Sequence, residues 1–231
     1  MRSAEFFRNG STPWPDAARA VALLALALVL AGCAATGGGA APSAESTKNA
    51  PAGHEAKPPL VAELDPAVIA AFEAALDALH EGHAAEAEKG FLALTRSHPE
   101  LGGPHANLGI VYRATGRLDQ AVAEGELAVH CNPQQPVFWN QLGISYRQQG
   151  QFAKARDAYE HAIALDPGYP APTLNLGILF DLYLWDGKRA LELYDHYLTL
   201  TPGGDAKVAK WVADLKNRNR EAKSETRKEQ E

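Results

Sequence analysis

The sequence predicts an all-α fold, a solenoid of antiparallel helix pairs, and three observations carry that prediction. Pro99, Pro133 and Pro167 follow one another at intervals of 34 residues, and Pro202 comes after 35. Gly109, Gly143 and Gly177 keep the same period, each directly preceded by a leucine: Leu108, Leu142 and Leu176. Within each period the apolar residues recur at helical spacing and strand signals are nearly absent. Turn glycines Gly82, Gly116 and Gly150, and alanines Ala87, Ala121 and Ala155, repeat in the same register.

Each unit reads as two helices of about 13 residues split by a glycine turn and closed by proline, which lacks an N–H and clashes with the preceding turn. In the first unit Ala71, Ala74 and Ala75 stand where later units carry large first-helix residues, while Ala87, Phe91 and Pro99 fit the pattern. The second unit has Tyr112 in its first helix and Gly125 in its second. Glycine inside a helix costs about 1 kcal/mol relative to alanine. It leaves a gap there, or room for a neighbour.

The third unit is the most regular. Trp139, Leu142, Gly143 and Tyr146 lie at i, i+3, i+4 and i+7, and Ala155, Tyr159 and Ala162 form the facing stripe. In the fourth unit Phe180 takes the tyrosine position, Gly187 and Ala190 are closer than the usual five residues, and one residue is inserted. The segment from Phe180 to Trp185 is expected to extend the first helix. Val208, Trp211, Val212 and Leu215, again at i, i+3, i+4 and i+7, predict an amphipathic helix that caps the stack. The repeat domain with its cap therefore spans 66–217. The remaining residues, 218–231, mix both charge signs without a large apolar side chain and are expected to form a disordered tail.

The run Trp139-x2-Leu142-Gly143-x2-Tyr146, followed by Gly150, Ala155, Tyr159, Ala162 and Pro167, resembles the tetratricopeptide repeat family. The resemblance covers residues 66 to 202 in four units. It implies a right-handed superhelix whose first helices line a concave groove, where partners bind as peptides. It implies no enzyme activity.

On that pattern Asn107, Gln141 and Asn175 form a row at 34-residue intervals, similar to the asparagine ladder with which O-GlcNAc transferase repeats hold peptide backbones. An amide can donate to a carbonyl and accept from an N–H, so such a row suits sequence-tolerant binding. The same amides also recur in this family for packing reasons. Ile110, Ile144 and Ile178 are expected to add an apolar stripe, and Arg113 and Arg147 positive charge, before Asp181 reverses the sign. Asn140 joins this candidate groove. The lysines of the family's carboxylate clamp are replaced by Ala106, Asn140 and Leu174.

Ahead of the repeats, Arg2, Arg8 and Arg19 precede an apolar run from Ala20 to Ala31, too short for a bilayer-spanning helix of about 20 residues. It fits the hydrophobic region of a signal peptide over residues 1–32. The run ends in Leu30-Ala31-Gly32-Cys33, which resembles a bacterial lipobox. The resemblance implies acylation (palmitate among the chains) at Cys33 and retention at a membrane. Ala34, rather than aspartate, follows the cysteine, and by resemblance to enterobacterial sorting rules this implies the outer membrane, with the domain facing the periplasm. Residues 33–65 are rich in Ala, Gly and Pro and read as a flexible tether spanning roughly 30 Å. Gly37-Gly38-Gly39 is not a phosphate loop, because no Lys-Ser/Thr follows.

Composition narrows the function. A net charge of −6 argues against a nucleic-acid binder that relies on phosphate neutralisation. Two cysteines exclude a disulfide scaffold, and Cys131 reads as a small core residue. His80-Glu81-Gly82-His83 lacks the i, i+4 spacing of a zinc helix and reads as a solvated turn. His98, His130 and His161 sit near second-helix ends, where imidazolium complements terminal carbonyls. Neither a catalytic constellation nor a cofactor or metal site is expected.

The expectation is a lipid-anchored, non-enzymatic adaptor that binds a peptide segment of a protein partner and helps assemble an envelope complex. Related lipoproteins help assemble pilus secretins, insert barrel proteins or recruit peptidoglycan hydrolases. A self-associating structural module, with the Trp185 segment and the cap helix making a homodimer, is the alternative, and a small cell-wall enzyme the third reading.

Overall fold

The structure, a computed structural model, describes residues 64–228. Within them lie nine helices and no strand: α1 (Pro66–His80), α2 (Ala84–Ser97), α3 (Gly102–Ala114), α4 (Leu118–Cys131), α5 (Pro136–Gln148), α6 (Phe152–Leu165), α7 (Pro170–Leu182), α8 (Gly187–Leu200) and α9 (Ala206–Lys228). The signal, lipobox and tether expected before residue 64, Cys33 included, lie outside the described residues.

The helix starts follow local chemistry. Pro66, Pro136 and Pro170 open α1, α5 and α7, where the missing N–H has no intrahelical partner to lose. Asp65 accepts the Ala67 N–H at 2.8 Å and so caps α1. Between the two helices of the first three hairpins, Gly82, Gly116 and Gly150 take φ of +82°, +77° and +84°, a region closed to most side chains.

The fourth hairpin makes the same turn without glycine. Trp185 sits at φ +57° directly before the α8 cap residue Asp186, the position Gly150 holds before α6. The expected extension of the first helix to Trp185 is therefore corrected. α7 ends at Leu182 with the same 13 residues as α3 and α5, because the hairpin needs its left-handed residue whatever the side chain.

Side-chain size sets the crossings within hairpins. A Cβ on Gly143 would lie 2.6 Å from the Tyr159 ring, so only glycine lets that ring lie flat against α5. Gly177 and Tyr194 repeat the contact in the fourth unit. At Gly125 the space is taken by a neighbour: Leu142 of the next hairpin reaches to 3.0 Å of where a Cβ would be. Burial is continuous along the stack, from Phe72 and Phe91, 5.7 Å apart in an edge-on pair, to Tyr159 and then Tyr194.

Consecutive helices pack pairwise along the chain. The first helices also touch across units, α1 with α3, α3 with α5 and α5 with α7, whereas the second helices α2, α4, α6 and α8 do not meet. First helices thus form a closed inner wall, and the outer rim is splayed. That difference is the curvature of the solenoid.

α9 covers the exposed end. Val208, Val212 and Leu215 are buried with Ile178, Ala190 and Tyr194, and the Trp211 ring lies 5.9 Å from that of Tyr194. The expected disordered tail from 218 is corrected over its described part, since α9 runs on to Lys228. A second correction concerns Cys131, which is half-buried rather than a core residue, its thiol donating to the Pro99 carbonyl at 3.4 Å. His161 stacks on Trp139 with ring centroids 4.2 Å apart, so an aromatic contact adds to its place near the end of α6.

Candidate functional site

The inner wall formed by α3, α5 and α7 carries the residues singled out by sequence, but they do not form a regular row. The Asn107 amide donates to the Gly103 carbonyl of its own helix at 2.9 Å. Asn140 is 3 % exposed, donates to the Tyr169 hydroxyl and accepts from Asn175 at 2.9 Å. Gln141 accepts from Arg113 at 2.8 Å through its side-chain oxygen. Each amide of the expected ladder has an internal hydrogen-bond partner.

The apolar stripe is shorter than expected. Ile110 and Ile144 remain partly exposed on the wall. Ile178 is buried under α9 and leaves the groove. The reason is positional: the fourth unit is last, and its free face must be covered by the cap helix.

The charged positions at 34-residue intervals have three different surroundings. Arg113 donates to Gln141 and to the Ser145 hydroxyl, all neutral acceptors. Burial pushes its pKa down to about 10, opposed by Tyr159, and the nearby charge of Arg147 pushes the same way as burial. Arg147 lies over the Tyr183 ring at 5.9 Å, and its Nε is buried without a hydrogen-bond partner among the described residues. Asp181 is 7 % exposed and well partnered, accepting from Arg218 of α9 at 2.9 Å and from the Tyr194 hydroxyl at 3.4 Å.

Tyr159 is the residue that sequence reasoning read only as packing. Its side chain is 0 % exposed, and its buried hydroxyl faces the Arg147 guanidinium without an acceptor for its own proton among the described residues. Burial raises its pKa to about 12, while Arg147, by its charge and by donating toward the phenol oxygen, and Arg113, by its charge, pull it the other way. The hydroxyl therefore sits in the field of both wall arginines. A signal for it was available in the repeat itself, because Tyr159 and Tyr194 pair with Arg147 and Asp181 at matching positions of successive units.

The wall at α3 and α5 thus offers two cations without an ion pair among the described residues, backed by a phenol. Such a set of donors can bind negative charge. A cleft of about 420 Å³ opens on the outer rim between α6 and α8, lined in part by Glu160, Arg189, Glu192 and His196. The described residues hold no cluster of three or more His, Cys, Asp or Glu with metal-ligand geometry, and no helix among them is long and apolar enough to cross a membrane.

Comparison with known proteins gives the same fold. Family models described as tetratricopeptide repeat match residues 70–136 and 136–169, so the chain carries tetratricopeptide repeats. A chloroplastic tetratricopeptide repeat domain-containing protein of Arabidopsis thaliana is 33 % identical over 60 residues, 26 % of this chain and 20 % of that protein. The peroxisomal targeting signal receptor of Candida albicans is 30 % identical over 71 residues, 31 % of this chain and 12 % of that protein. The match therefore spans a fifth or less of these two relatives. Among solved structures, Pseudomonas aeruginosa pilF superposes with a TM-score of 0.62 at 23 % identity, covering 67 % of this chain and 70 % of that one. MamA superposes at 0.57 and 18 % identity, covering 64 % and 80 %. The architecture is that of a tetratricopeptide-repeat solenoid, a fold whose members serve as protein–protein interaction scaffolds.

Proposed function

We propose that this protein is a non-enzymatic adaptor of the bacterial envelope, anchored by lipid at Cys33, whose inner wall holds a peptide segment of a protein partner. The observation that carries the reading is the uncovered stretch of wall at α3 and α5. There Ile110 and Ile144 are partly exposed beside two arginines that lack ion-pair partners among the described residues. An apolar floor with nearby cations suits a segment bearing aliphatic and acidic residues. The resemblance of Leu30-Ala31-Gly32-Cys33 to a lipobox supports membrane retention, and Ala34 after it supports the outer membrane with the domain facing the periplasm. The family resemblance supports a partner in a pilus-secretin or similar assembly.

Two experiments test this. Full-length protein should capture a defined envelope partner, and the double variant Ile110→Ser/Ile144→Ser, checked for folding by circular dichroism, should lose it. Capture that survives the double change would move the site off the wall. Labelling with radioactive palmitate should vanish in Cys33→Ser. Persistent labelling would remove the anchor from the reading.

A second reading rests on Trp185, which is 80 % exposed beside Leu182 and Leu184, also exposed. These side chains could seat a second copy of the chain. Sedimentation over a hundredfold range of concentration decides this, a constant monomer mass excluding it.

A further inference from the structure

The fourth unit shows what the third unit lacks. At the inner-wall position of Asp181, a carboxylate is held by the Tyr194 hydroxyl and the Arg218 guanidinium, at 3.4 and 2.9 Å. One unit earlier the equivalent tyrosine is Tyr159, packed on Gly143 as Tyr194 packs on Gly177. The Arg147 guanidinium faces the Tyr159 oxygen, and the Tyr159 O–H and the Arg147 Nε–H are both buried without an acceptor among the described residues. Arg113 stands close enough for its charge and that of Arg147 to work against each other, with only neutral acceptors around it. Buried donors in native proteins are nearly always satisfied, so an orphaned phenol and an orphaned guanidinium nitrogen at one spot mark a missing acceptor.

We propose that Arg113, Arg147 and Tyr159 form a seat for a carboxylate carried by the partner peptide, the side chain of an aspartate or glutamate or the chain terminus. This rests on the reading of the inner wall as the docking groove and names the chemistry it recognises there. The carboxylate enters between the two guanidinium groups with the phenol behind them, and so completes in trans the arrangement that Asp181 completes within the chain. The overall charge of −6 makes the local excess of two cations on this wall more pointed, because the inner-wall carboxylate Asp181 is already engaged by Arg218. The seat lies away from the position of the family's carboxylate clamp, whose lysines are absent here.

Binding of two fluorescein-labelled ten-residue peptides to the full chain tests the seat. In one peptide leucine alternates with glutamate, and in the other with glutamine. The seat predicts at least tenfold tighter binding of the glutamate peptide, with that preference removed by Arg147→Gln. Tyr159→Phe keeps the ring on Gly143 and should reduce the preference without removing it. Equal binding of both peptides overturns the seat and leaves the groove standing. A glutamate preference that survives Arg147→Gln combined with Arg113→Gln also overturns it. If neither peptide binds, the seat is rejected, while the groove is judged separately by partner capture in the Ile110→Ser/Ile144→Ser variant. Competition by inorganic phosphate at lower concentration than acetate, after allowance for charge, would reassign the spot to general anion binding and overturn the carboxylate assignment.

Discussion

The third and fourth units of the stack are built on one plan and finished differently. In both, a glycine of the first helix lets a tyrosine of the second lie against it, Gly143 with Tyr159 and Gly177 with Tyr194. At the inner-wall position one turn further along the first helix, the third unit carries Arg147 and the fourth Asp181. The cap helix α9 then reaches the fourth unit alone, where Arg218 neutralises Asp181 and Leu215 helps bury Ile178. The lesson is that the repeat fixes where a charged group stands, and the neighbour decides whether it is satisfied. An internal unit can leave its wall open for a partner, because the units beside it already bury its flanks. A terminal unit cannot.

The largest effect should come from filling the shared crossing. Gly143→Ala and Gly177→Ala each drive a Cβ to within 2.6–2.7 Å of a tyrosine ring. Each should cost about 2 kcal/mol in urea unfolding, overpacking outweighing the gain in helix propensity. A large inequality between the two would break the claim that the crossings are equivalent. Next, Arg218→Ala strips the buried Asp181 of its charged partner and should cost about 1–2 kcal/mol, the exposure of Arg218 keeping the effect moderate. Adding Asp181→Asn should recover most of that loss.

The turn before α8 is the next point of difference. Replacing Trp185 by glycine removes a bulky side chain from the left-handed region and loses little packing, because that side chain is 80 % exposed. Thermal denaturation of Trp185→Gly should show a gain of about 1 kcal/mol.

The smallest effects sharpen the comparison most. Tyr194→Phe deletes a hydroxyl bonded to Asp181 and should cost about 1 kcal/mol. Tyr159→Phe deletes an orphaned one and should be neutral or slightly stabilising in the free protein.

Alkaline titration separates the wild type from Tyr159→Phe by the size of the stability loss. Burial holds the Tyr159 pKa up at about 12, above the ordinary 10, so the folded state favours the neutral phenol. That contribution is complete below pH 10 and disappears as pH rises toward 12. The Tyr159→Phe variant should therefore lose less stability than wild type between pH 10 and 12, as followed by urea unfolding at each pH.

Much of the fold was legible in the sequence because a repeat states its own rule several times. The 34-residue period gave the helix pairs, the glycine turns and the small residues at the crossings, each resting on local geometry that neighbours do not alter. The reading failed where a local rule met a non-local demand. The run from Phe180 to Trp185 looks helical by composition, yet the hairpin needed a left-handed residue at 185 and took a tryptophan. The charged residues after 217 carry no apolar stripe, yet α9 continues through them, and Arg218 finds Asp181 on α7. The candidate site was legible as a set of positions but not as a set of bonds. Asn175 was aligned with a ligand-binding row and Asn140 was counted in the same groove, and in the fold they bond to each other.

By itself the sequence determined the repeat, the handover from one helix to the next and which faces are apolar, since these follow from spacing along a single chain. Only the tertiary structure decided which inner-wall groups are already paired. Hydrogen bonds and charge compensation depend on distances between side chains about 34 residues apart, and those distances exist only once the units have stacked.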